Sequence, residues 1–150
     1  RLEWIVERAT ELGVARLLPV VTDRTIVRTV KLDKLRAHVL EAAEQCERTA
    51  LPDLAEPVSL DRLLADWPAG RALLFANERG GAGGPAHPAP AAILVGPEGG
   101  FTDAEVAAIE AHPCARAISL GPRILRADTA CVAAVAAWMA TSGDWPGSAS

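Results

Sequence analysis

The chain reads as an α/β protein, with a mainly parallel sheet and helices on both faces. Three observations predict this class. Short apolar runs alternate with helical patterns along nearly the whole length. Half of the 150 residues are hydrophobic, which suffices for one domain with a real core. Two of the apolar runs end in Gly-Pro turns that lead into helices, at the strand ends where such sheets hold ligands.

The elements follow in order. Leu2, Ile5, Ala9 and Leu12 recur at helical spacing and Gly13 closes the pattern, which predicts an amphipathic helix with a glycine C-cap. Arg16–Val21 is rich in branched residues and predicts a strand. Leu32–Thr49 has helical spacing through Leu35, Val39, Ala42, Ala43 and Cys46, with Pro52 as its stop. Ser59 caps a short helix through Trp67, with Asp61 in its first turn, and Arg71–Ala76 forms the next strand. From Asn77 to Pro90 the composition shifts to Gly, Pro and Ala, the signature of a mobile loop that serves as a functional lid or a tolerated insertion. Strand 91–95, helix 103–111, strand 116–120 and a helix from 126 to 141 complete the domain. The tail 142–150 is expected to be disordered. The last helix is apolar on nearly every face, which calls for burial by the sheet and by a partner subunit, or by the chain's own core alone.

Composition narrows the function. Three widely spaced cysteines, Cys46, Cys114 and Cys131, form neither a disulfide framework nor a zinc pattern, which suits a reducing cytoplasm. No apolar stretch reaches the length of a membrane span, and no signal-peptide pattern opens the chain. A net charge of −4 argues against indiscriminate coating of nucleic acid. One local cluster runs the other way: Arg24, Arg28, Lys31, Lys34 and Arg36 form either an RNA-facing patch or a solvated helix face. His38, His87 and His112 match no motif.

The most informative motif is Val95-Gly96-Pro97-Glu98-Gly99-Gly100-Phe101, between an apolar strand and a helix start at Thr102. Adjacent glycines expose backbone N–H groups, and a helix N-terminus adds its positive end at the same point. The turn has neither the Lys-Ser/Thr of a P-loop nor a Gly-x-Gly-x-x-Gly pattern, so a triphosphate is disfavoured. Few basic groups stand beside it. An adenine-bearing ligand with little negative charge, such as S-adenosylmethionine, fits that description. Ser119-Leu120-Gly121-Pro122-Arg123 supplies a second such turn, and two turns from neighbouring strands make one pocket.

Four stretches, Ala9–Val14, Glu41–Thr49, Val95–Phe101 and Ser119–Ala130, together resemble the RsmE-like ribosomal RNA uridine-N3 methyltransferases, in order and in spacing. The resemblance covers about residues 1–141. It implies a SPOUT-type domain with a C-terminal trefoil knot, a homodimer, S-adenosylmethionine as cofactor, no metal, and methylation of a uridine N3 in 16S rRNA of the small ribosomal subunit. It also implies an N-terminal PUA-like RNA-binding domain, which this stretch lacks, so residues 1–150 alone are expected to bind cofactor with little methylation. Carried over residue by residue, Val95, Gly96, Pro97, Glu98, Gly99 and Gly100 form one wall of the cofactor site. Ser119, Leu120, Gly121, Ile124, Leu125 and Arg126 form the other, with Thr129 in the following helix. Asp128 stands where the family often has Glu. Phe75 and Asn77 match a third cofactor-contacting turn loosely.

Uridine N3 carries a proton with a pKa far above neutral, so its methylation gains from a base or from a cation that stabilises the anion. Arg126 is the first candidate cation and Arg123 the second; neither guanidinium can act as a base. Glu98 either orients the cofactor, accepts the N3 proton, or only bonds backbone donors, and the last is favoured. Gln45 and Arg48 either contact RNA, as Arg24 and Arg28 would, or brace neighbouring helices. Two alternatives stand beside this reading: a SPOUT enzyme for another RNA such as tRNA, and a non-catalytic nucleotide- or RNA-binding domain.

Overall fold

The computed structural model describes residues 2–25, 30–77, 81 and 83–146. Five helices and seven short strands alternate among them: α1 (Leu2–Leu12), β1 (Arg16–Leu17), β2 (Val20–Val21), α2 (Leu32–Gln45), β3 (Asp53–Leu54), β4 (Val58–Ser59), α3 (Leu60–Ala65), β5 (Ala72–Ala76), β6 (Ala91–Leu94), α4 (Asp103–Ala111), β7 (Ala115–Ile118) and α5 (Ala127–Thr141). Every strand pairing among the described residues is parallel, in line with the expected mainly parallel sheet.

The single strand expected over 16–21 is two. Pro19 between them has no N–H for a ladder, although its carbonyl accepts from Val58 N at 3.0 Å. β1 pairs with β3 and β2 with β4. The partner strands escape sequence reading because each is two residues long and flanked by Pro52 or Pro57.

β5 lies at the centre of the second sheet, ordered β6-β5-β7. Its alternating side chains feed two cores. Leu73 and Phe75 join Leu60, Leu63, Leu94 and Ile109, beneath α3 and α4. Ala72 and Leu74 join Ile118 and Ala134, beneath α5. Helices therefore cover both faces, with α1 packed against α5 and α2 beyond it.

Two helices depart from expectation. On α1 the buried strip is Val6, Ala9 and Thr10, while Leu2 is exposed, because the helix lies between α2 and α5. Thr10 is fully buried with its hydroxyl donating to Val6 O at 2.8 Å. The second, α2, buries the expected Leu35, Val39, Ala42 and Ala43 but stops at Gln45, well before Pro52. Glu47 takes a left-handed φ of 62° there, and Arg48 N donates back to Ala43 O at 2.8 Å, a Schellman closure made without glycine.

The Gly/Pro-rich segment 77–90 makes defined contacts in its described part. Gly83 O accepts from Ser119 N at 2.9 Å, just beyond β7. Trp138 on α5 donates its indole N–H to His87 O at 2.9 Å, and His87 N donates to Ser142 Oγ at 3.1 Å. The Ala89-Pro90 bond is cis. After α5, Ser142 N donates to Trp138 O at 2.7 Å and Trp145 Nε1 donates to Leu12 O at 3.3 Å; residues 147–150 lie outside the described residues.

Candidate functional site

Parallel strands ordered β6-β5-β7 deliver three chain segments to one sheet edge: Val95–Phe101 after β6, Asn77 after β5 and Ser119–Arg126 after β7. The two Gly-Pro turns come from strands that flank β5, so they are not immediate neighbours as expected. Crossovers that skip over a central strand are invisible to local sequence patterns. The result is a crevice with the end of β5 between its walls.

The first wall is a tight turn in which Gly100 N donates to Pro97 O at 2.8 Å. Phe101 folds its ring back so that a Cβ on Gly96 would stand 3.2 Å from it. Glu98 and Gly99 are exposed. The helix behind the turn is not open to a ligand in the way the sequence suggested. Thr102 and Glu105 form a capping box, with Glu105 Oε1 accepting from Thr102 N at 2.9 Å and Thr102 Oγ1 accepting from Glu105 N at 3.2 Å. The expected bare N–H groups at this helix start are thus partly consumed by the protein itself. What the turn offers is close backbone approach, which suits a ligand with little negative charge.

Buried Glu105 has a second task that the sequence did not reveal. Its Oε2 accepts from Asp23 N at 3.0 Å, tying the segment after β2 to the start of α4. Next to it, Arg24 donates to Gly99 O at 2.8 Å. Arg24, expected in an RNA patch, therefore meets the first wall.

The second wall begins where Ser119 N is fixed by Gly83 O, and Gly121 N donates to Ser119 Oγ at 3.3 Å. Gly121, Pro122, Arg123, Ile124 and Arg126 are exposed, Ile124 at 75%, while Leu120 and Leu125 are half-buried. Arg126 is the N-cap residue of α5, and its carbonyl accepts from Ala130 N at 2.8 Å. In the first turn of α5, Asp128 is buried and accepts from Thr129 N at 2.9 Å, a favourable place for a carboxylate; Thr129 is exposed. From the third segment, Asn77 N lies 3.5 Å from Ile118 O. Phe75 is 1% exposed inside the core beneath α3 and α4, so its side chain does not face the crevice.

The remaining described candidates lie apart from the crevice. Arg48 donates one Nη to Thr10 O at 2.9 Å and Val14 O at 3.1 Å, setting a cation at the C-terminus of α1. Gln45 is exposed in the last turn of α2, and Arg28 lies outside the described residues. On the basic stretch, Lys34 pairs with Glu3 at 2.8 Å and Arg36 with Asp33 at 3.2 Å. A cavity of about 640 Å3 between α2 and residues 51–55 is lined by Arg16, Leu40 and Leu51 among others, and by none of the three converging segments. Among the described residues no three His, Cys, Asp or Glu side chains gather as metal ligands, and no helix is long and apolar enough to cross a membrane.

Cys131, one turn beyond Asp128, has its thiol pushed up to about 11 by burial and then by the Asp128 carboxylate. At pH 8 roughly one thiol in a thousand is then ionised. Alkylation of the native protein at that pH is expected to label Cys46 and Cys114 while sparing Cys131 until unfolding. Equal labelling of all three would contradict the placement.

The RNA methyltransferase domain model matches residues 1–139, nearly the whole described fold and all three segments of the crevice. The chain belongs to this family. Among curated relatives, the ribosomal RNA small subunit methyltransferase E of Rickettsia conorii is 32% identical over 143 residues, covering 91% of this chain and 58% of that protein. Its counterpart from Synechocystis is 36% identical over 144 residues, covering 89% and 47%. The chain thus spans about half the length of these relatives. Among solved structures, the ribosomal RNA small subunit methyltransferase E of Neisseria gonorrhoeae bound to S-adenosylmethionine superposes with a TM-score of 0.88 at 30% identity, covering 96% of this chain and 62% of that one. A methyltransferase from Legionella pneumophila with bound S-adenosylmethionine gives 0.83 at 30% identity, covering 94% and 61%.

Proposed function

We propose that this family member is the catalytic part of an S-adenosylmethionine-dependent enzyme that methylates N3 of a uridine in 16S rRNA of the small ribosomal subunit, in the cytoplasm. One observation carries the reading: three segments, two of them Gly-Pro turns, converge at the carboxyl ends of β6, β5 and β7. The crevice fits the cofactor chemically. Its first wall is a glycine turn closed by Gly100 N on Pro97 O, and its helix end is already capped by Glu105, which favours an uncharged nucleoside over a phosphate. Gly96, Pro97, Gly99 and Gly100 would hold one side, and Ser119, Leu120, Gly121, Ile124 and Leu125 the other, with Asn77 between them and Thr129 behind. When bound, S-adenosylmethionine supplies a methyl group already activated on a sulfonium.

The protein's own part is mostly positional. Arg126 and Arg123, both exposed at the rim of the second wall, would stabilise the negative charge spread over O2, N3 and O4 as the N3 proton leaves. Glu98 is exposed on the first wall, where it can orient the cofactor or take that proton. Gln45, in the last turn of α2, would meet RNA away from the crevice, and Arg28 would add charge to RNA binding. A SPOUT-type trefoil knot is the finer reading of this all-parallel α/β fold. A homodimer is supported by α5, whose Val132, Ala133, Val135 and Ala136 stay only half-buried in one chain.

Mass spectrometry of digested 16S rRNA and tRNA after incubation with the protein and isotope-labelled S-adenosylmethionine tests the substrate. Labelled N3-methyluridine in the 16S digest supports the assignment. Label in tRNA alone, or at another atom, would transfer the chain to another branch of the family.

A further inference from the structure

We infer that Arg24 is a positioning residue for the β6 turn, and that it acts by clamping Gly99; this rests on the reading of that turn as the cofactor wall. Two features of the contact fit each other. The guanidinium Nη1 donates to Gly99 O at 2.8 Å, across 75 positions of sequence. The aliphatic stem lies over the glycine itself, so that a Cβ at position 99 would stand 3.3 Å from both Cβ and Cδ of Arg24. Arginine at 24 therefore matches the absence of a side chain at 99.

The clamp stands on a braced base. Thr22 N donates to Thr25 Oγ1 at 2.8 Å, and Thr25 N donates back to Thr22 O at 3.2 Å, which closes the turn that carries Arg24. Asp23 N is held by buried Glu105 at 3.0 Å, and Thr102 Oγ1 donates to Asp23 Oδ2 at 3.5 Å. With Gly100 N on Pro97 O, both polar atoms of the Gly99–Gly100 peptide are held. A charged donor on the Gly99 carbonyl also polarises that peptide and strengthens its Gly100 N–H as a donor to Pro97 O. The positive charge at 24 thus preorganises the turn, and a preorganised wall loses less entropy when a ligand binds.

The test uses Arg24→Ala, Arg24→Lys and, as a charge-matched control on the basic stretch, Arg36→Ala. Two quantities are read: calorimetric affinity for S-adenosylhomocysteine, and the hydrogen-exchange rate of the Gly100 amide without ligand. Arg24→Ala is expected to weaken binding and to speed that exchange by about tenfold each, with little change in thermal midpoint because the side chain is exposed. Arg24→Lys keeps the charge and stem but falls short of the carbonyl, so its effect is intermediate. Arg36→Ala leaves both quantities unchanged. Wild-type affinity and exchange in Arg24→Ala overturn the clamp. Absence of binding in the wild type overturns the cofactor reading instead, and with it the purpose assigned to the clamp.

Discussion

Replacing Gly81 by alanine is expected to destabilise the protein by about 3 kcal/mol, at the upper end of overpacking costs. A Cβ at 81 would stand 2.7 Å from the carbonyl carbon and oxygen of Ala117 and 2.8 Å from Ile118 N. These are backbone atoms of β7, held in register by β5 through Phe75 opposite Ala117 and Ala76 opposite Ile118. The strand cannot retreat without breaking that ladder, so the segment carrying residue 81 must lift. Lifting it also strains the bond from Ser119 N to Gly83 O, which fixes the start of the second wall. Gly84 is the matched control, since nothing lies within 4 Å of a Cβ there, and Gly84→Ala is expected to be neutral or slightly stabilising. Thermal unfolding checks both: a midpoint lower by roughly 10 °C for Gly81→Ala is expected. An unchanged midpoint would contradict the close approach.

Glu105→Ala is expected to cost about 2 to 3 kcal/mol, because one buried carboxylate serves two elements. One oxygen satisfies Thr102 N in the capping box and the other satisfies Asp23 N. Alanine leaves both donors without that partner and releases the segment after β2 from α4. Glu105→Gln keeps an acceptor for one donor and sets an NH2 against the other, so roughly half of the loss is expected. Urea midpoints for the two variants measure this. A Glu105→Ala midpoint equal to that of wild type would show that the link between the segments contributes nothing.

What the sequence makes legible follows from which signals are local. The span of α4 and its Thr102 start are readable because a capping box lies within four residues. Glu105's bond to Asp23 is not, since its donor is 82 positions away. Ser59 is readable as a cap, accepting from Arg62 N at 3.2 Å, whereas β3 and β4 are too short to show any period. Phe75 is readable as strand but not as core, because alternation alone does not tell which face of β5 meets α3 and α4. The two glycine turns stand out by composition; that β5 separates them depends on strand order, which no motif encodes. Arg24 shows the limit most clearly. Its charge suggests RNA, yet its contact is set by a glycine 75 positions on that has no side chain to exclude it.

The cofactor site we propose, between the Gly-Pro-Glu-Gly-Gly turn and the Ser119–Arg126 segment, rests on the binding of S-adenosylmethionine. It is tested most directly by calorimetric titration of the chain with S-adenosylmethionine, S-adenosylhomocysteine and ATP, with Gly99→Val as the site control. In that variant a side chain would press on the stem of Arg24 and displace the turn that Arg24 holds. The account predicts micromolar binding of both adenosyl ligands to the wild type, no binding of ATP, and loss of binding in the variant. Equal binding of ATP, or adenosyl binding undiminished in Gly99→Val, would contradict it.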